Sequence, residues 1–71
     1  MATSEKELLP WQQDVLREKA DLEVKIRALT SFSQSPYAAG LDVRLRQLLF
    51  KQNAAMHKYL VILERRIGSF F

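Results

Sequence analysis

The sequence predicts an all-α protein: two long antiparallel helices form a hairpin, joined by a short helical turn, and the hairpin assembles as a homo-oligomer. Three observations support this prediction. Residues 41–67 contain neither proline nor glycine, and their apolar residues recur at the three-and-four spacing of an amphipathic helix. That run holds more apolar side chains than one partner helix can cover. The chain has only 71 residues and no cysteine, so further copies of itself are the expected cover for a small core.

The first long helix is expected over about residues 10–32. Pro10 suits the first helical turn, where its missing N–H is not needed. Residues 1–9 are expected to form a frayed lead-in, and their polar, acidic character excludes a signal peptide. The apolar face of this helix is predicted to consist of Trp11, Val15, Leu22, Ile26 and Leu29, with Leu8 extending it.

A linker at residues 33–41 is expected to separate the long helices. The chain has one cluster of weak helix formers, and most of its residues lie in this segment. Ser35 followed by Pro36 is a serine N-cap with proline at the first helical position. This pair predicts a single helical turn through Ala39. Gly40 is expected to take the left-handed conformation that ends the turn. If the chain kinks here without breaking, the second helix starts at Pro36.

The second long helix is expected over about residues 42–68, with Asp42 as its N-cap. Its main apolar stripe is predicted to be Leu41, Leu45, Leu48, Leu49, Ala55, Met56, Tyr59, Ile62, Leu63 and Ile67. Four more apolar side chains lie outside that stripe: Phe50, Ala54, Leu60 and Val61. Phe70 and Phe71 are expected to pack across a subunit boundary, because an exposed apolar tail favours association. No apolar run approaches the roughly 18 residues of a membrane span, which predicts a soluble protein.

Charge is distributed unevenly between the two halves. Residues 1–35 hold five Lys/Arg and six Asp/Glu, a net charge of −1, whereas residues 36–71 hold six and two, a net charge of +4. This asymmetry suggests an anionic partner for the second half, or two oppositely charged helices that attract each other within the hairpin. A row of cations at seven-residue spacing either pairs with phosphates or is simply solvated. The row consists of Arg44, Lys51, Lys58 and Arg65, with Arg46, Arg66 and His57 beside it.

No set of residues suited to catalysis can be assembled from the sequence. His57 is the only histidine, the serines cluster in the linker and near the termini, and two glycines cannot form a phosphate-binding loop. Asp14, Glu18 and Asp21 lie close together on the first helix, but a solvated helix face has the same spacing. A metal site, a cofactor and an enzymatic activity are therefore not expected.

Aromatic and amide side chains provide candidates for binding. Trp11, at the start of the first helix, and Tyr37, in the linker, are placed near the ends of the hairpin, and each can stack on a base. Trp11 and Tyr59 can equally be core residues. Asn53 lies in mid-helix beside two alanines, where a buried asparagine either fixes the register between helices or hydrogen-bonds a ligand.

Two segments resemble short, mostly uncharacterised phage proteins. The first is residues 17–26, and the second is the series Gln52, Met56, Tyr59, Leu63, Arg66 and Ile67. The chain is also similar to the phage anti-CBASS sponges, which sequester cyclic oligonucleotide alarm signals. The residues of this second similarity are Ser35, which opens the helical segment as a serine does in that family, and, later, Asn53-Ala54-Ala55-Met56.

The similarity to the sponges implies roles for residues of the first helix. In that family an aromatic and a lysine from the first helical region act at an oligomer interface, and Trp11 with Lys19 or Lys25 match them here. The linker departs from the family's pattern, because it lacks the Cys-Pro sequence and Pro36 follows the serine. This difference counts against the part of the similarity that involves Ser35.

These observations favour a non-enzymatic phage accessory protein, cytoplasmic in the infected bacterial host, that binds and sequesters a cyclic di- or trinucleotide. A helical adaptor or inhibitor that docks on a host protein stays open as an alternative, because the surplus apolar face suits such docking. A small nucleic-acid-associated regulator is a third, although no helix-turn-helix signature is evident. No membrane partner is expected. The predicted ligand-binding residues are Trp11, Lys19, Lys25, Ser35, Tyr37, Arg44, Lys51, Asn53 and Lys58.

Overall fold

The computed structural model describes residues 7–71, and this part of the chain is all-helical, with three helices. Helix α1 spans Pro10–Ser33, α2 spans Pro36–Ala39 and α3 spans Val43–Gly68. The start of α1 contacts the end of α3, and the end of α1 contacts the middle of α3, so the two long helices run in opposite directions. Most of the predicted lead-in lies outside the described residues. Its last part is packed, because Leu8 is only 5% exposed.

The core lies between α1 and α3 and is centred on Leu63, which has no exposed surface. Val15, Leu22 and Ile26 of α1 pack around it. Burying one such aliphatic side chain contributes about 1.5–3 kcal/mol. Further side chains of α3 and its C-terminal tail, each partly buried, pack against this cluster: Met56, Leu60, Ile67 and Phe70.

The contact with α1 uses only part of the apolar stripe predicted for α3. Leu48 and Ile62 are 59% and 55% exposed, whereas Leu60 packs against the core. The predicted stripe was wrong on these residues because three-and-four spacing occurs twice along α3, in two rows about 90° apart around the helix axis. The row that α1 leaves uncovered is here called the outer seam. It consists of Leu45, Leu48, Gln52, Ala55, Tyr59, Ile62 and Arg66.

The molecule is a rod one helix pair thick. Its extents are 52 × 18 × 16 Å, and its radius of gyration is 16.0 Å, compared with about 11 Å for a compact domain of the same length. Within residues 7–71, α1 and α3 are the long helices and α2 has only four residues, so this part of the chain forms no further layer. Most of the outer seam is therefore exposed in the single hairpin, and Tyr59, which is 40% exposed, borders a groove along α1.

Two side-chain caps hold the connection between the long helices. Ser35 Oγ accepts a hydrogen bond from the Ala38 N–H at 3.2 Å and donates one to the Phe32 carbonyl at 2.6 Å. Asp42 Oδ1 accepts from the Arg44 N–H at 2.7 Å. Such caps satisfy backbone N–H groups that have no partner within the helix. Both predicted N-caps are confirmed, and α2 is a separate turn, so the helix does not continue through a kink at Pro36.

The prediction for Gly40 was wrong. Its φ is −87° and its ψ is −1°, in the right-handed region. The Gly40 N–H donates to the Tyr37 carbonyl at 3.1 Å, and the Leu41 N–H donates to the Ala38 carbonyl at 3.1 Å. Because these bonds close the turn with right-handed geometry, no left-handed residue is needed. A Cβ at this position would meet the Tyr37 carbonyl oxygen at 3.6 Å, an ordinary contact distance.

Candidate functional site

A pocket of about 380 Å³ lies beside the turn, where the end of α1 and α2 meet the first half of α3. This volume falls within the roughly 300–1,000 Å³ typical of small-molecule sites. It is here called the turn-end pocket. Its lining residues are Ser33, Ala38, Arg46, Leu49, Phe50, Asn53, Ala54 and His57.

Helix α3 supplies the chemically distinctive groups of the turn-end pocket. Arg46, Phe50, Asn53 and His57 are separated by four, three and four residues, so they share one side of the helix. The Phe50 side chain is 77% exposed and forms an aromatic wall. Arg46 and His57 are also exposed. The pocket therefore combines an aromatic surface with one permanent positive charge and an imidazole.

Asn53 links the two long helices through one half of its amide. Its Nδ2 donates to Thr30 Oγ1 at 3.1 Å, across from α3 to α1. Its Oδ1 is buried and has no hydrogen-bond partner among residues 7–71. Leaving a buried acceptor unsatisfied costs about 1–3 kcal/mol. The contact between the helices thus uses the amide nitrogen of Asn53. It does not explain why the amide oxygen is buried.

A second, more open groove adjoins the turn-end pocket and shares two of its residues. This groove, of about 540 Å³, is lined by Val43, Arg46, Gln47, Phe50 and Lys51. Phe50 and Arg46 therefore contribute to both depressions. Lys51 places another positive charge beyond the aromatic wall.

The structure brings together two of the residues that the sequence predicts to bind ligand. Asn53 lines the turn-end pocket, and Lys51 lines the adjoining groove. Three pocket residues were not among the predicted ligand-binding residues. Phe50 was assigned to the surplus apolar surface, and Arg46 and His57 were treated as neighbours of the cationic row. The three-and-four spacing of these residues with Asn53 is the signal that would have identified them.

Ser35 and Tyr37 lie in the turn itself. The Ser35 hydroxyl both donates to and accepts from the backbone, so its hydrogen bonds are used within the turn. Tyr37 is 73% exposed, and its ring lies 6.0 Å from the ring of Phe32, centroid to centroid. Its exposed ring is accessible for stacking.

The lysines of α1 lie away from the turn-end pocket. Lys25 lines a groove of about 280 Å³ together with Tyr59 and three acidic side chains: Asp14, Glu18 and Asp21. These carboxylates oppose the approach of an anion to Lys25 within one chain. Lys19 is partly buried.

Trp11 lies at the other end of the hairpin, against the C-terminal tail. Its ring meets that of Phe70 edge to face, with centroids 5.4 Å apart and an interplanar angle of 87°. Phe70 therefore packs within its own chain, and the predicted packing across a subunit boundary was wrong for this residue; Phe71 is 62% exposed. Because α1 separates Trp11 from Tyr37 by roughly 30 Å, a single nucleotide cannot contact both within one chain.

The cationic row on α3 is exposed and has no ion pair with any carboxylate in residues 7–71. Among residues 7–71, the recorded ion pair joins Arg17 to Asp14 within α1, at 3.5 Å. The predicted attraction between oppositely charged helices therefore does not take the form of ion pairs between α1 and α3. Because the charges of Arg44, Lys51, Lys58 and Arg65 are not neutralised by carboxylates in this part of the chain, they are available to an anion.

The described part of the chain holds no group of three or more His, Cys, Asp or Glu side chains placed to bind a metal ion. Its helices include none with the length and apolar character needed to cross a membrane.

The fold and the site define a class of small all-helical protein whose exposed surface carries cations and aromatic side chains. Residues 9–69 match the Sequestin family model, which covers nearly the whole of the described chain. The chain belongs to the Sequestin family. No curated protein matches it, and no solved structure does.

Proposed function

We propose that this protein binds and sequesters a cyclic oligonucleotide without cleaving it, as a homo-oligomer in the cytoplasm of a phage-infected bacterium. The observation that carries the proposal is the family match over residues 9–69, because the name Sequestin denotes the sequestration of some molecule. An anionic, aromatic ligand fits the exposed surface of α3, which offers an aromatic wall and cations without a carboxylate partner in the described part of the chain.

Binding in this proposal needs only contacts that hold the ligand. Aromatic side chains stack on the bases, and arginine and lysine side chains donate charge-assisted hydrogen bonds to the phosphates. Lys51 and Asn53 stand next to Phe50 in one chain. Trp11 lies at the far end of the rod, and Lys25 lines a separate groove that shares no residue with the turn-end pocket. In this proposal Trp11, Lys19 and Lys25 act on a ligand bound by a neighbouring subunit.

A second copy of this chain is the proposed cover for the outer seam. The seam has the same three-and-four spacing as the core row of α3, so two copies can interdigitate as packed helices do. A two-fold contact pairs the seam with itself. If the two rods run in opposite directions, the end that carries Trp11 in one copy approaches the turn of the other. Such an arrangement brings Trp11 to the ligand.

Native mass spectrometry of the full chain, alone and with 3′,3′-cyclic di-AMP, 3′,3′-cyclic GMP-AMP and a cyclic triadenylate, tests the proposal. The expected result is an oligomer that carries intact cyclic nucleotide at fixed stoichiometry at micromolar concentration. Lys51→Gln should weaken binding several-fold, since it removes one charge from the groove beside Phe50. The linear dinucleotide pApA is the matched control ligand. An oligomer that stays empty with the whole panel contradicts sequestration of cyclic nucleotides.

A second candidate function is an adaptor or inhibitor that docks on a host protein. The observation that favours it is the exposure of Phe50 and Val61, which are 77% and 47% exposed on a side of α3 away from the outer seam. Val61 does not line the turn-end pocket, so it separates the two functions. A stoichiometric protein partner that is retained in moderate salt and lost with Val61→Glu would support the adaptor. Steeply salt-dependent binding to long polynucleotides would support a nucleic-acid-associated regulator.

A further inference from the structure

We infer that the turn-end pocket is a nucleobase subsite, in which Asn53 Oδ1 accepts a hydrogen bond from an amino group on the edge of the base. The inference rests on the proposed function, since it names the part of the nucleotide that this pocket reads. It also assigns Asn53 a recognition role in addition to its contact with α1.

The shape and lining of the pocket suit a flat aromatic ring. Leu49, Ala38 and Ala54 give it apolar surface without bulk, and Phe50 stands beside them with most of its ring surface exposed. A base stacks on an aromatic side chain whatever its identity, because every base has a π-face. Stacking on Phe50 therefore contributes affinity for any base, and polar groups of the pocket determine which base binds best.

The buried polar atom of this pocket that lacks a partner within residues 7–71 is an acceptor. The bond from Asn53 Nδ2 to Thr30 Oγ1 orients the amide, and this leaves Oδ1 without a partner among residues 7–71. The 6-amino group of adenine is a donor on the pairing edge, whereas the same purine without that group presents only ring nitrogens that accept. The pocket should therefore prefer adenine to a purine that lacks the amino group.

Access to that oxygen requires a side chain to move, because Oδ1 is buried in the structure. Phe50 lines the same pocket, and its 77% exposure leaves room for it to change rotamer. A base that enters between Phe50 and Ala54 would separate the aromatic wall from the pocket floor. Stacking and hydrogen bonding would then be established together.

Charges near the pocket fit the rest of a nucleotide. Arg46 lines both the turn-end pocket and the adjoining groove, and Lys51 lines the groove. With a base in the pocket, its phosphate can pair with Arg46, and a second phosphate of a cyclic molecule can lie towards Lys51. A solvated helix face would explain the charges of Arg46 and Lys51. It would not explain why Oδ1 of Asn53, beside them, is buried without a hydrogen-bond partner in residues 7–71.

The test compares AMP with purine riboside 5′-monophosphate, which lacks the 6-amino group of AMP and carries no other donor on that edge. ¹⁵N-labelled full-length protein is titrated with each at millimolar concentration, followed by amide NMR. AMP should shift the Asn53 side-chain amide and the backbone amides of Phe50 and Ala54, with purine riboside 5′-monophosphate binding at least about fivefold more weakly. Equal affinities, shifts confined to other residues, or no shifts at all would overturn the inference.

Two variants connect the NMR shifts with the pocket. Ala54→Leu fills the space beside Phe50 and should abolish the AMP shifts, whereas Ala28→Leu, on the exposed surface of α1, is the matched control and should preserve them. Asn53→Leu should retain weak stacking but bind AMP and purine riboside 5′-monophosphate equally. Asn53→Leu also removes the contact with Thr30 and can therefore unfold the protein. In that case the Ala54→Leu result alone decides the test.

The same variants separate this inference from the proposed function. If the oligomer binds 3′,3′-cyclic di-AMP and Ala54→Leu leaves that affinity unchanged, the pocket is not the base subsite, although sequestration stands. If AMP shifts the pocket residues while no cyclic nucleotide binds the oligomer, the base subsite stands and sequestration fails.

Discussion

Leu63→Ala is expected to remove most of the free energy of folding of this protein. Leu63 has no exposed surface and lies at the centre of the only cluster that joins α1 to α3 in the described residues. A buried leucine-to-alanine change costs about 2–5 kcal/mol, and a core of this size rarely supplies more than about 3–5 kcal/mol. Urea unfolding followed by circular dichroism should show a midpoint near zero denaturant, or a chain already unfolded.

Val24→Ala is the control for this change. Val24 is 55% exposed on the outer side of α1, so its truncation should alter the free energy of unfolding by less than about 0.5 kcal/mol. Both proteins are unfolded at two concentrations, because association would add a concentration-dependent contribution. A Leu63→Ala protein as stable as the Val24→Ala protein would show that the core lies elsewhere.

Leu48→Glu combined with Ile62→Glu is expected to convert the proposed oligomer into a monomer that is still helical. Both side chains lie on the outer seam and are more than half exposed in the hairpin, so the substitution costs the isolated chain little. In an assembly that buries the seam, each glutamate would be an uncompensated buried charge. Sedimentation velocity measures the mass, and circular dichroism measures the helix content.

Val61→Glu provides the matched control, since Val61 is 47% exposed but does not belong to the outer seam. It should leave the mass of the assembly unchanged. An oligomer that persists with glutamate at both seam positions would mean that the copies meet through another surface. A monomeric parent chain would contradict the proposed assembly itself.

The sequence predicts the local structure of this chain well because the signals are local. Ser35 and Asp42 each bond a backbone N–H two or three residues ahead, and their caps form as expected. Gly40 shows the limit of such signals, because glycine permits a left-handed backbone without requiring one. Hydrogen bonds around α2 selected the right-handed alternative.

Which side of α3 faces α1 could not be read from spacing alone. The row that contains Leu60 and Leu63 and the row that contains Leu48 and Ile62 have the same period. The choice between them depends on how α2 directs the chain into α3, which is tertiary geometry. The same ambiguity placed Phe50 among surplus apolar residues, because the pocket it lines exists only once α1, α2 and α3 are packed.

The contact between Trp11 and Phe70 has a consequence for spectroscopy. Trp11 is the only tryptophan in the chain. Fluorescence excited at the long-wavelength edge of the tryptophan absorption band therefore reports on one end of the rod alone. A ligand held in the turn-end pocket of an isolated hairpin lies roughly 30 Å from that fluorophore, too far to touch it. A change in emission on ligand binding therefore signals that two subunits share the ligand, which makes this single aromatic residue an optical reporter of quaternary contact.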